Sequence, residues 1–452
     1  AAAYGSAPTS AAYGAAPSYG GAGGYPSPPA ASAAYAGNSA GYGSGYGAGL
    51  GDPGMDAATT AYSADPVLAQ IQSQIADLGH DTGPRADIVT GYRRRSGEAG
   101  LSQLDEIKGS ARFSTDAPGG RVYAKAEASV IDAGRANQSG QARFGRNATI
   151  EAQAIVDKQP SVFPSAQTQN ASGVAFSAGY ESDSVKLEAG TTPVGMGKTE
   201  ATFRAEASPK LSPTVRAKAF AERQPVTDSV LSYAGTRDPV SGRRWGQVMR
   251  TAGGAGLSYD SEGSGVYAEG RYYRFRGTNV ARNDGFEANV GGYLRTYRSP
   301  RSNLTVGINV NYQGYDKSQN YFTWGNGGYF SPQNFISVGF PVNYTMNDER
   351  FDISASFTPG FQSYKQDQTN IYPIDQPLQA ILDQNKIDNN DVRSYYDSIS
   401  KTGFAVSSNL SIYYKLSPTT RIGGEAGYNT FGSYDEFRSL LGVRQNFGST
   451  GR

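Results

Sequence analysis

Ser302–Tyr315 reads SNLTVGINVNYQGY, and its apolar residues fall at every second position: Leu304, Val306, Ile308, Val310 and Tyr312 share one face. Asn303, Thr305, Gly307, Asn309, Asn311 and Gln313 share the other. A period of two is that of an extended strand with one apolar and one polar face. QNFISVGFPVNY sorts Ile336, Val338, Phe340, Val342 and Tyr344 against Ser337, Gly339, Pro341 and Asn343. FDISASFTPGF sets Phe351, Ile353, Ala355, Phe357 and Phe361 against Asp352, Ser354, Ser356 and Thr358.

A soluble sandwich alternates too, so the lengths of the connections decide between architectures. Tight turns are expected near Pro118-Gly119, Ser182-Asp183, Ser208-Pro209, Asp260–Gly263, Ser299–Arg301, Asn347–Glu349 and Ser417-Pro418. At every other junction the connection is longer: roughly 96–103, 134–169, 193–197, 224–244, 277–283, 316–331, 364–401 and 430–435. Short turns at one end and long loops at the other are the signature of an outer-membrane barrel. The segments number about sixteen, an even count, so both ends of the barrel are expected on the periplasmic side. The last segment, EFRSLLGVRQNF, places Phe437, Leu441, Val443 and Phe447 on one face. The expected fold is therefore an all-β, sixteen-stranded antiparallel transmembrane β-barrel over 86–447, with a periplasmic tail at 448–452.

Composition agrees. The 452 residues include 58 Gly, 31 Tyr and 19 Phe, with one His and no Cys. Without Cys there are no disulfides, thiolate nucleophiles or zinc-thiolate sites. Mean hydropathy is −0.51 and no apolar run reaches the length of a transmembrane helix, a test that alternating strands never pass. The net charge of +1 offers no field to recruit nucleic acid and suits a neutral partner.

Ahead of the strands, residues 1–64 are Ala, Gly, Ser, Pro and Tyr (AAYGAAPSYGGAGGYPSPP) and are expected to be a disordered linker. Its tyrosines read either as an inert tether or as glycan-stacking and self-association points. DPVLAQIQSQIADLG (Asp65–Gly79) carries a capping Asp, Pro66 at the first helical position and apolar residues at helical spacing, so 65–85 should be one short amphipathic helix with a connector. The start at Ala1, without Met or a signal peptide, reads as a processed or excised fragment.

Four stretches, GNGGYFSPQNFISVGFPV (Gly325–Val342), GLSQLDEI (Gly100–Ile107), YYRFRGTNV (Tyr272–Val280) and NYQGYDKSQNYFTWG (Asn311–Gly325), resemble the C-terminal region of cellulose synthase operon protein C. The resemblance runs from about Ala86 to Phe447. It implies an outer-membrane subunit of cellulose secretion whose barrel is similar to the alginate-export porin. It also implies a cellulose chain as cargo, outer-membrane lipid around the barrel, and an upstream periplasmic tetratricopeptide scaffold leading to an inner-membrane cellulose synthase. No 34-residue helical repeat of that scaffold occurs here.

With the apolar face toward lipid, the opposite face lines a lumen. Candidates to meet a polysaccharide there are Tyr123, Glu127, Arg204, Tyr267, Glu269, Arg271, Tyr273, Glu287, Asn289, Tyr293, Arg295, Asn309, Asn311, Tyr413 and Glu425, with Tyr297 also expected inward. Acids and bases nearly balance. A polyanion pore wants Arg and Lys in excess, whereas a neutral glucan wants aromatic platforms and exchangeable hydrogen bonds. The same pairs would also serve simply to stiffen a barrel, and tyrosines near strand ends would serve as interfacial girdles. Trp324, Tyr329 and Phe330 are expected as a sugar-contact patch at the extracellular mouth, where the long loops 134–169 and 364–401 read either as a gate folded over it or as a shield of the rim.

Two other functions remain on the table. A non-conducting barrel could anchor a periplasmic scaffold. A lumen carboxylate pair could hydrolyse a glycan, although no acid sits in a recognisable catalytic motif. His80 lies in a Gly-rich connector, and GAGLGDPG (Gly47–Gly54) lacks the Gly-Lys-Ser/Thr ending of a phosphate loop, so neither supports an enzyme or a cofactor.

Overall fold

The computed structural model describes residues 83–447, apart from 138, 165 and 166. The expected linker, the helix at 65–79, His80 and the tail at 448–452 lie outside the described residues.

The strands run β1 Arg85–Arg95, β2 Leu104–Ala117, β3 Gly120–Gly134, β4 Gln169–Glu181, β5 Val185–Thr191, β6 Ala201–Ala207, β7 Val215–Pro225 and β8 Arg244–Ser261. They continue as β9 Ser264–Thr278, β10 Asn283–Arg298, β11 Ser302–Tyr315, β12 (Asn334–Gly339 and Val342–Asn347), β13 Phe351–Gln366, β14 Ile399–Lys415, β15 Thr420–Asn429 and β16 Glu436–Asn446. Each pairs antiparallel with its sequence neighbours, and β16 closes on β1 from Asn446↔Arg85 to Glu436↔Arg95. The result is a closed sixteen-stranded barrel with no free edge.

Both faces follow the alternation. Outward lie Ile88, Phe113, Phe176, Leu257, Val266, Val290, Ile308, Phe357, Leu410 and Leu441, all solvent-accessible and apolar. An apolar exterior of this extent is compatible only with lipid. The short turns use the residues such hairpins need: Glu262 and Gly263 sit at φ 53° and 84°, the two positive values that match the twist of the β8–β9 hairpin.

Three local features depart from simple alternation. Pro341 has no N–H, so β12 breaks at Phe340-Pro341, yet the Gly307 amide still donates to the Pro341 carbonyl at 2.9 Å. Register with β11 is the same on both sides of the break. In β10, Thr296 is an extra residue between the Arg295↔Thr305 and Tyr297↔Leu304 pairs. That bulge flips the strand end, so Tyr297 is 53% exposed on the outer face, correcting its expected inward position.

The third concerns helices. Among the described residues there are four, all in long connections: α1 Ser139–Ala142, α2 Asn147–Asp157, α3 Val230–Tyr233 and α4 Gln376–Asp388. Asp375 caps α4 by accepting from the Leu378 amide at 3.3 Å, with Pro377 in the first turn. Ser229 and Ser232 form a reciprocal capping box on α3.

Candidate functional site

The fifteen residues proposed for the lumen all project inward, and most are tied into cross-strand ladders. Arg204 on β6 pairs with Glu222 on β7 at 3.2 Å, and Glu222 also takes Arg250 of β8. Arg250 lies 5.5 Å from the Tyr273 ring on β9; Tyr273 donates to Glu287 on β10, which accepts from the Asn311 amide on β11 at 2.7 Å. This single row crosses six neighbouring strands.

A second row sits nearer the short-turn end. Lys218 reaches Glu269 at 3.1 Å, and Arg271 Nε donates to the same carboxylate at 2.7 Å. Asn309 donates to both the Tyr267 hydroxyl (2.8 Å) and Asn289 (2.5 Å). Tyr293 donates to Asp260, with Arg295 two residues further along β10. Elsewhere Tyr123 donates to Glu188 at 2.7 Å beneath the Arg112 guanidinium, Glu127 pairs with Lys108 at 3.0 Å, and Tyr413 donates to Glu425 at 3.2 Å. Each of these carboxylates is therefore held by cations or by a tyrosine hydroxyl, in a polar inner wall whose rings Tyr273 and Tyr413 are each only 1% exposed.

The mouth differs from expectation. Trp324, Tyr329 and Phe330 are 2%, 0% and 4% exposed, so they form no open sugar-contact patch in this state. They belong to a cap built by the long connections. Trp324 meets Trp245 at 5.7 Å, which meets Phe144 at 5.3 Å; Tyr329 stacks on wall residue Phe275 at 5.0 Å; Tyr321 stacks on Tyr396 at 3.6 Å. Residues of six connections and the upper wall share this apolar cluster, because indoles and phenyl rings drawn from separate loops can escape water only against one another. Burial pushes the Tyr321 phenol up to about 12 and that of Tyr329 further, so both stay neutral.

One segment crosses the bore. Residues 226–229, following β7, reach β1, six strands away around the ring. There Arg93 Nη2 donates to the Thr227 carbonyl at 2.8 Å, and Arg95 Nη1 donates to the Asp228 carbonyl at 2.7 Å. Arg95 also pairs with the Asp228 carboxylate at 3.4 Å and Glu436 at 2.8 Å, over the Tyr434 ring. From the other side, Ser229 Oγ donates to the Gly328 carbonyl at 2.7 Å and the Phe330 amide to Asp228 at 3.3 Å. Sequence reasoning missed this latch. The alternation in YRRR (Tyr92–Arg95) marks Arg93 and Arg95 as one inward pair, but nothing local marks Asp228 as their partner.

A closed antiparallel barrel with an apolar outer belt, a polar lumen and all its long loops at one end is a bacterial outer-membrane β-barrel. The chain belongs to the family described as the cellulose synthase operon protein C C-terminus, whose model matches residues 102–448. It is 30% identical over 406 residues to cellulose synthase operon protein C of Pseudomonas fluorescens (strain SBW25), covering 88% of this chain and 29% of that protein. To cellulose synthase 2 operon protein C of Komagataeibacter xylinus it is 31% identical over 368 residues, 80% of this chain and 27% of that one. It thus spans less than a third of the length of these relatives. Among solved structures it aligns with a bacterial polysaccharide outer membrane secretin at TM-score 0.48 and 10% identity, over 81% of this chain and 99% of the other.

Proposed function

We propose that the barrel exports a neutral glucan, cellulose, from periplasm to cell exterior, as the outer-membrane part of a cellulose secretion complex, and performs no covalent chemistry on it. The observation that carries this reading is the lumen wall: tyrosine rings interleaved with Glu, Arg and Asn in near balance of charge, with two arginines and two glutamates along the row Arg204–Glu222–Arg250–Tyr273–Glu287. Sugar faces stack on rings, hydroxyls exchange hydrogen bonds with short polar groups, and no excess of fixed charge favours a polyanion. The remaining partners in this reading are an upstream periplasmic tetratricopeptide scaffold and the inner-membrane synthase.

A non-conducting anchoring barrel is the second reading, and the capped mouth favours it. The two differ in whether the cap yields. Planar-bilayer conductance of the refolded chain, with cello-oligosaccharides or uronate oligomers of matched length added, separates them. Conductance blocked by cello-oligomers alone is the result expected of a neutral-glucan pore. Equal block by uronates removes the charge argument, and a trace that never opens favours the anchor.

A further inference from the structure

The outer wall of the barrel carries a second recognition surface, at the loop end of β9–β11. Tyr272 on β9, Phe286 on β10 and Tyr312 on β11 face outward at neighbouring positions, with Phe286 and Tyr312 5.5 Å apart. Outward aromatic rings at one height mark the level where hydrocarbon gives way to headgroups. Arg274 follows Tyr272 by two residues on the same face, about 7 Å further along the strand toward the loops. Arg276 follows by two more.

Arg282, in the β9–β10 connection, and Lys317, just past β11, join them: Lys317 Nζ donates to the Arg282 carbonyl at 3.3 Å. Asp284 lies between the arginines, 3.5 Å from Arg274 and 3.8 Å from Arg276, and Asp316 is hydrogen-bonded to the same corner through its amide. Two guanidinium groups thus share the Asp284 carboxylate, with the Lys317 ammonium and the Arg282 main chain at the same corner. The side chains of Arg274 and Arg276 are 57% and 41% exposed, so their remaining donors are open to a ligand. Guanidinium forks and an ammonium at headgroup depth, directly above an apolar wall, fit a molecule with phosphate oxygens joined to acyl chains.

The geometry points to a binding site here for the phosphorylated headgroup of an outer-leaflet lipid, with the phosphate held by Arg274, Arg276, Arg282 and Lys317 and the chains lying on the Tyr272–Phe286–Tyr312 surface. This site is independent of what the lumen carries. Native mass spectrometry of the refolded full chain, titrated with lipid A or with the same lipid dephosphorylated, tests it. The expected result is retention of the phosphorylated form, at least about tenfold weaker binding of the dephosphorylated form, and a similar loss in the R274Q/R276Q/R282Q/K317Q variant. Single R274Q and K317Q variants supply the same comparison if the quadruple variant does not fold, which its heat-modifiable migration on gels reports. Equal binding of both lipids, or unchanged retention by the folded variants, would overturn the proposal. Displacement of the lipid by millimolar inorganic phosphate would reassign the site to the free anion.

Discussion

Tyr273 does two jobs with one side chain: its ring lies 6.5 Å from that of Tyr315 in a stacked arrangement, and its hydroxyl holds the Glu287 carboxylate on the next strand. Tyr293 on β10 repeats the pattern lower in the bore, donating to Asp260. If sugar faces travel over these rings, Tyr273→Ala or Tyr293→Ala slows glucan secretion about two- to tenfold, the worth of one aromatic contact, with the barrel still heat-resistant on gels. Tyr→Phe at each position separates ring from hydroxyl and should retain most of the rate. Secretion unchanged in both alanine variants would leave these tyrosines as struts of the wall. Inward placement of such residues was legible in the sequence, since a strand's alternation needs no knowledge of its neighbours. Tyr297 was misread because one inserted residue, Thr296, reverses the sides beyond it.

Among the elements, the segment that follows β7 carries the most consequence. Its Asp228 and the Arg95 it meets on β1 are both fully buried, and a buried pair that loses one member leaves an uncompensated charge, at a cost of about 3–5 kcal/mol. Arg95→Met should therefore shift the cap strongly toward open, seen as a larger and more frequent conductance. R95M/D228N removes the Asp228 charge and leaves Glu436 to Arg93, 3.7 Å away, so it should recover part of the closure. Identical closed traces from all three proteins would mean that the aromatic cluster alone holds the mouth. The connections were legible as long, and their order around the barrel was too. That 134–169 and 364–401 could close over the mouth was legible from their length; that they carry α2 and α4 and bury Trp324, Tyr329 and Phe330 was not, since these contacts join segments far apart in the chain.

For the molecule as a whole, the surrounding solvent is the organising influence. The inner side of the wall is polar, lipid covers the other, and β10 carries Val290 at its centre and Phe286 near its loop end, both outward. An arginine in place of Val290 should cost about 2–4 kcal/mol of folding stability, and one in place of Phe286 about 0–1, because the penalty falls with distance from the bilayer midplane. Refolding titrations of the two variants into vesicles read that difference; equal costs would mean that the belt is not centred where the outward apolar residues put it.

The strand period, the alternating lengths of the connections and the polarity of each face were determined by the sequence alone, because each depends on residues two or a few positions apart. A sixteen-stranded barrel with its ends at the short-turn side follows from those local quantities. Tertiary structure alone decided that the mouth is closed, that Arg95 finds Asp228 across the bore, and that Arg274, Arg276, Arg282 and Lys317 share one corner of the outer wall. Those outcomes depend on which loop reaches which strand once the sheet has curved round on itself, a distance in space that no spacing along the chain encodes.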